Sequence, residues 1–298
     1  MLFRSVSQSR YVCYIAVDGL NCRGRDLNGL RKAIFWTKFA EQEARKGGCS
    51  VETAVVPLGV DLKQFRPMDK MEARRALGFP DKLWDAFIFL NVNRNQPRKR
   101  MDLCISYFAQ WLHTTQIKDA FMFFHVAPTG DAGYDIKQLG QFYGIANRLI
   151  ISEPEIGLGV SEEMIVRTYC AADVSLSTTQ GEGMGLTTLE AMACGIPFMG
   201  PDWAALGDWA KKAMLPIPCS EIVCTPNNIN VIGGIADRDD FVKGLDRLYR
   251  EPELRDELRH KGLSLVAEPQ YRWEEAGAAF ARELDSLFFT QQSISMAG

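Results

Sequence analysis

The chain has 298 residues, 47% of them apolar and 24% charged, with 34 basic against 37 acidic side chains and a formal net charge of −3. That is room for two modest domains of ordinary globular composition, and the mild acidity gives no global reason to expect nucleic acid or an acidic membrane as partner. No apolar run approaches the roughly 18 to 20 residues that span a bilayer, and the opening MLFRSVSQSR lacks a secretory core.

The eight cysteines (Cys13, Cys22, Cys49, Cys104, Cys170, Cys194, Cys219, Cys224) contain no Cys-x-x-Cys pair. A zinc site and a disulfide framework are therefore poor fits, and a reducing cytoplasm is the default compartment. In chain order, YVCYIAV (11–17) reads as a strand, 26–46 as one long helix, and ETAVV (52–56) as another strand. This is too little for an independent sheet. PLGVDLKQFRP (57–67), with a proline at each end, reads as a linker.

From residue 87 the pattern becomes regular. The apolar run FIFLNVN (87–93) precedes MDLCISYFAQWL (101–112), whose apolar residues recur at helical spacing. AFMFFHVA (120–127), YDIKQLGQFY (134–143) and RLIIS (148–152) follow. SEEMIVRTYCAA (161–172) has Ser161 and Glu163 suited to a helix start. VSLST (174–178), IPFMG (196–200) and LPIPCSEIVC (215–224) close the series, and 237–288 reads as mostly helical. Continuous apolar runs alternating with helices indicate a parallel sheet covered on both faces. The expected fold is α/β, a doubly wound Rossmann-like sheet of about six strands with ligand at the carboxyl ends.

Two loops carry the chemistry. GEGMGLTTLEAMACGIP (181–197) sets three glycines in five residues before an apolar helix. Glycines let the backbone approach an anion, and the N–H groups of a first helical turn face it. Thr187-x-x-Glu190 also matches a capping box, in which Glu190 would only serve its own helix. NRNQPRKRMDL (93–103) puts Arg94, Arg98, Lys99 and Arg100 directly after a strand. Cations there suit a diphosphate, though a basic run is also the composition of an exposed turn. Both loops follow strands of one sheet on one edge. Cations and helix N–H groups would hold phosphates, leaving Glu182 and Glu190 to accept hydrogen bonds from hydroxyls. Such a ligand would be both anionic and polyhydroxylated, and a nucleotide sugar fits that description.

Three segments resemble the retaining family-four glycosyltransferases (glycosyl transferases group 1 type) of GT-B architecture, mainly their C-terminal donor-binding domain. VVPLGVDLKQFRP is similar to the segment entering the second domain of that family. NRNQPRKRMDL resembles its Gly-Arg-x(4)-Lys-Gly loop, with Arg94 and Lys99 at matching spacing, and GEGMGLTTLEAMACGIP resembles its Glu-x(7)-Glu motif. The resemblance implies that Arg94 and Lys99 bind the donor diphosphate and stabilise the departing nucleotide, and that Glu182 contacts donor-sugar hydroxyls. It implies that the backbone of Gly183, Met184, Gly185, Leu186 and Thr187 surrounds sugar and phosphate, and that Glu190 receives the ribose. It also implies no metal ion and no cofactor, the nucleoside-diphosphate sugar being a co-substrate.

The sequence departs from the pattern at Asn93 and Arg100, where the family has glycines, and in offering no N-terminal histidine for the donor sugar. The expected division is a shortened N-terminal, acceptor-side portion (1–60), a nucleotide-sugar-binding domain (61–270), and a C-terminal helix (271–298) packing back on the N-terminal portion. The expected activity is hexosyl transfer, with retention and without a metal, to an unidentified hydroxyl on a sugar, glycan, lipid or protein. The alternative is a non-catalytic nucleotide-sugar-binding module completed by a partner chain that supplies an acceptor domain. The expected location is cytoplasmic, with peripheral attachment to a membrane left open. Base contacts are expected near Ser152 to Gly159.

Overall fold

A computed structural model describes residues 11–126, 133–152, 159–225 and 231–295, with side chains through residue 287. Strands β1 (Val12–Ile15), β2 (Lys32–Phe35) and β3 (Glu52–Val55) form a parallel sheet in the order β1-β2-β3. Residues 26–46 are therefore not one long helix. They hold the end of a 3-10 turn (Gly24–Leu27), then β2, then helix α1 (Lys38–Lys46). The short run from Lys32 to Phe35 fits either a helix or a strand locally. Ladder partners on both sides decide it, since each of its residues pairs with β1 and with β3. The Thr37 side chain then accepts from the Ala40 N–H and starts α1. The N-terminal residues thus do form a small sheet, with a core that includes Val17, Leu30, Ala33, Phe35, Ala40 and Ala44.

After helix α2 (Lys70–Ala76) come β4 (Phe87–Val92), α3 (Met101–Thr115), β5 (Ala120–His125), α4 (Ile136–Phe142) and β6 (Leu149–Ser152). Helix α5 (Glu162–Cys170), β7 (Val174–Leu176), α6 (Leu186–Ala193), β8 (Phe198–Pro201) and β9 (Leu215–Ile217) complete the large sheet. Its order is β6-β5-β4-β7-β8-β9, and every pairing is parallel. The order reverses between β4 and β7, so the loops leaving those two strands diverge and open a crevice there. The segment 215–224 is two strands rather than one. Pro218, which has no N–H to donate, separates β9 from β10 (Cys219–Cys224), and β10 pairs antiparallel with β11 (Ile232–Ala236).

Helices on both faces bury the sheet. Phe89 of β4 packs edge-to-face with Trp111 of α3 at 5.5 Å between centroids, and both are fully buried. Side-chain caps fix several helix starts, among them Asp69, Asp135 and Ser161, and Asp237 at the start of α7 (Arg238–Arg250). Helix α8 (Pro252–Val266) follows with proline in its first turn, and α9 (Trp273–Ser295) ends the described chain.

The small and large sheets are joined at several places. At one crossing Val60 N–H donates to the Tyr271 carbonyl at 2.8 Å and Trp273 N–H to the Val60 carbonyl at 3.2 Å. Beyond it α9 lies against the N-terminal sheet. Lys32, whose side chain is buried, pairs with Glu52 at 2.5 Å and with Glu283 of α9 at 2.7 Å, and Phe280 packs on Tyr14. Of the helix's other aromatic residues, Trp273 is exposed, while Phe288 and Phe289 lie outside the described side chains. Among the described residues no helix is long and apolar enough to cross a membrane.

Candidate active site

The crevice at the strand-order reversal is a cleft of about 730 Å³ walled by several strand ends and loops. Arg94, Arg98 and Lys99 come from the loop after β4, and Glu182 to Thr187 from the loop after β7. His125 comes from the end of β5, and Ala16, Asp18 and Trp36 from the carboxyl ends of β1 and β2. Arg94, Lys99, Glu182 and residues 183–187 therefore share one cavity. Glu190 is not among the residues lining it.

The two motif loops are tied through their backbones. Gln180 N–H donates to the Arg98 carbonyl at 2.9 Å, and the Thr178 hydroxyl donates to the Arg100 carbonyl at 2.8 Å. Lys99 sits in a short 3-10 turn (Pro97–Lys99), and Arg100 follows in the left-handed region with φ of 51°. Where the resembled loop has glycine, this chain thus bends an arginine into the conformation glycine adopts most easily. Its guanidinium is held away from the cleft by Asp102 at 2.9 Å.

Inside the cleft Lys99 Nζ meets Glu182 Oε1 at 2.5 Å, and Arg98 reaches Glu182 Oε2 at 3.2 Å. Burial alone would push the Glu182 carboxyl up. The charges of Lys99 and Arg98 outweigh that and hold it below the ordinary carboxylate range. Arg98 also donates to the Gly181 carbonyl. The site is thus a compact ion network with two cations and a carboxylate already desolvated and oriented. Such preorganisation is what stabilises charge developing on a leaving group.

The glycines have separable duties. Gly185 has φ of +88° and is the N-cap of α6, which has no side-chain cap. The first turn of α6 opens into the cleft at Leu186 and Thr187, the arrangement that favours anions. The capping box suggested by Thr187 and Glu190 is not built, because α6 begins one residue before Thr187. Gly181 and Gly183 instead admit the N-terminal segment. A Cβ at Gly181 would lie 1.8 Å from the Asp18 carbonyl oxygen, and one at Gly183 would lie 2.6 Å from Ala16 Cβ. Trp209 donates its indole N–H to the Met184 carbonyl at 2.7 Å and so braces the loop from behind.

Glu190 lies on the α5 side of α6, where its carboxylate accepts from the Tyr169 hydroxyl at 2.7 Å. Burial pushes its carboxyl up to about 7, against the lowering effect of that hydrogen bond and with Glu162 adding to the rise.

Three cleft residues escaped the sequence reading. His125 falls at the end of an apolar strand and is buried, but it also lines the cleft with Nδ1 3.1 Å from the Ser152 hydroxyl. Burial lowers its pKa, which favours the neutral imidazole. Asp18 and Trp36 each follow a strand end, the one signal that could have found them. Ser152 and Gly159 are described, but residues 153–158, where base contacts were expected, lie outside the described residues.

A doubly wound sheet in this strand order, with a second small parallel sheet closing the cleft, defines an α/β protein of the GT-B class. Sucrose-phosphate synthase from Thermosynechococcus elongatus superposes with a TM-score of 0.72 at 21% identity, over 90% of this chain and 61% of that one. Anabaena HepE in complex with UDP-glucose superposes with a TM-score of 0.70 at 15% identity, over 92% and 72%. The family model for glycosyl transferases group 1 matches residues 86–228. A D-inositol 3-phosphate glycosyltransferase of Geodermatophilus obscurus is 38% identical over 160 residues, covering 52% of this chain and 33% of that protein. One of Actinosynnema mirum is 30% identical over 210 residues, covering 68% and 45%. On the matched segment the chain belongs to the glycosyl transferases group 1, and it spans less than half the length of these two relatives.

Proposed function

We propose that the chain supplies the donor-binding part of a glycosyltransferase that moves a hexosyl group from a nucleoside-diphosphate sugar to an acceptor hydroxyl. The observation that carries this reading is the Lys99–Glu182–Arg98 network, in one cleft with Arg94 and the open first turn of α6. The neighbour bound to UDP-glucose supports a nucleotide-sugar donor, and the glycosyltransferase relatives support the transfer.

In this reading the diphosphate docks between Arg94, Lys99 and the start of α6. Lys99 turns from Glu182 to the phosphate, and Glu182 is released to accept hydrogen bonds from the sugar. As the bond from the anomeric carbon to the diphosphate oxygen breaks, negative charge grows on the phosphate, where the cations and helix N–H groups would stabilise it. These residues are the ground for proposing a reaction that needs no divalent metal. Retention of configuration rests on the Glu-x(7)-Glu pattern from Glu182 to Glu190. The buried, neutral imidazole of His125 can exchange hydrogen bonds with a hydroxyl without adding charge, and Glu190 is the proposed ribose acceptor.

A thermal-shift screen against UDP-, GDP- and ADP-sugars tests the reading. A ligand at about 100 times its Kd adds roughly 2.7 kcal/mol, which raises the melting temperature of a protein this size by several degrees. Stabilisation by one nucleotide class names the donor, and Glu182→Ala should then abolish donor hydrolysis and transfer. A folded sample that none of the three classes stabilises refutes it.

A further inference from the structure

The cleft holds two carboxylates from opposite walls. Glu182 belongs to the loop after β7, and Asp18 reaches across from the end of β1. Asp18 is held firmly. Two residues on, Leu20 exchanges hydrogen bonds with Ile232 of β11 at 2.9 and 3.1 Å, and Gly181 lies directly against the Asp18 carbonyl. The Asp18 carboxylate accepts the Gly183 N–H and stands 3.5 Å from Arg98 Nε.

Among the described residues, the cations lining the cleft all belong to the loop after β4: Arg94, Arg98 and Lys99. The opposite wall of Ala16, Asp18 and Trp36 has none, and burial keeps the His125 imidazole neutral. A diphosphate drawn to the basic loop engages Arg94 and Lys99, while Arg98 stays between Asp18 and Glu182. The glycosyl unit is then left between two carboxylates and an indole.

We propose that Asp18, acting with Glu182, sets the class of donor sugar, admitting an uncharged hexosyl group and excluding a hexuronosyl group. The inference rests on the nucleotide-sugar reading and goes one step beyond it. Sugar hydroxyls donate to carboxylates, whereas a uronate carboxylate can only accept, and the nearest cation, Arg98, is already shared by Asp18 and Glu182. It adds a third negative charge within a few ångströms of two others, a repulsion that discriminates between ligands otherwise alike. Burial pushes the Asp18 carboxyl up, with Glu182 adding to the rise and Arg98 and Lys99 opposing it.

The test measures the affinity of the full chain for UDP, UDP-glucose and UDP-glucuronate, and for GDP, GDP-mannose and GDP-mannuronate. Each sugar is read as a ratio to its own nucleotide in the same protein, so a general loss of binding cancels. The uncharged sugar should bind at least ten-fold more tightly than its uronate. Asp18→Asn should narrow that gap at least three-fold, and Asp18→Glu, which keeps the charge, should retain it. A uronate bound as well as the uncharged sugar, or a gap that Asp18→Asn leaves untouched, overturns the inference while the functional reading stands on nucleotide binding. Binding of none of these overturns the inference, and it overturns the functional reading too when ADP and ADP-glucose also fail to bind.

Discussion

Glu190→Gln is expected to make the protein more stable at pH 8 and weaker in its grip on the nucleotide. The Glu190 carboxyl is raised from 4.5 to about 7 by burial. Between those values the folded state holds a proton that the unfolded state has lost. Stability therefore falls as pH rises through that window, and the loss is complete above it. A shift of that size, at about 1.4 kcal/mol per unit, corresponds to roughly 3 kcal/mol at pH 8. Partial exposure of the side chain reduces this to about 1 to 3 kcal/mol. Glutamine keeps an oxygen to accept from Tyr169 and never ionises.

Urea denaturation of both proteins at pH 5 and pH 8 should show the variant's advantage growing by about 2 kcal/mol between the two. Other titrating groups are common to both and cancel. An advantage equal at both pH values, or none at pH 8, would refute the argument that a buried ionised carboxylate is being tolerated there. A variant that gains stability and loses nucleotide affinity shows that the acid is kept for its ligand.

Lys99→Ala should lower kcat for donor cleavage by about 100- to 1,000-fold, the usual effect of removing one preorganised group from a developing charge. Circular dichroism should stay native, and a smaller kcat effect with a large rise in KM would make Lys99 a ground-state binder only. Gly181→Ala drives a Cβ against the Asp18 backbone and Gly183→Ala drives one against the Ala16 side chain. The first should destabilise by more than about 3 kcal/mol and the second by about 1 to 3, ranked by melting temperature, and a reversed order would contradict the packing described. Lys32→Ala removes the buried cation that joins Glu52 to Glu283. It should expose α9 to proteolysis and lower stability by about 1 to 2 kcal/mol, less than a fully buried pair because both glutamates keep some solvent.

Much of the large sheet was readable along the chain because β4, β5, β7 and β8 are apolar runs buried on both faces. Such runs alternating with helices fit only a covered parallel sheet. The pairing of Arg94 and Lys99 with the Glu182 loop was readable for a similar reason, since both follow strands whose carboxyl ends share one edge. Where the sequence fell short, partners distant in the chain had decided the outcome. The run from Lys32 to Phe35 became a strand because β1 and β3 flank it. The capping box is a local exception: Gly185, two residues before Thr187 and at positive φ, starts α6 earlier, so Thr187 and Glu190 did not build it.

By itself the sequence determined the α/β class, the glycine turn, the basic loop and the family resemblance, since these depend on residue types at short spacing. Only the tertiary structure decided that the cleft has a third wall, because Asp18 and Trp36 lie far along the chain from either motif and reach it through the packing of one sheet on another. It also turned the glycine-rich stretch from a plain anion cradle into a joint. Gly185 serves the helix start, while Gly181 and Gly183 are small so that the N-terminal backbone can lie against them. The two glutamates were equivalent as letters and differ only in their neighbours. Lys99 and Arg98 keep Glu182 ionised in the cleft, while burial beside Tyr169 leaves Glu190 close to neutral pH in its titration.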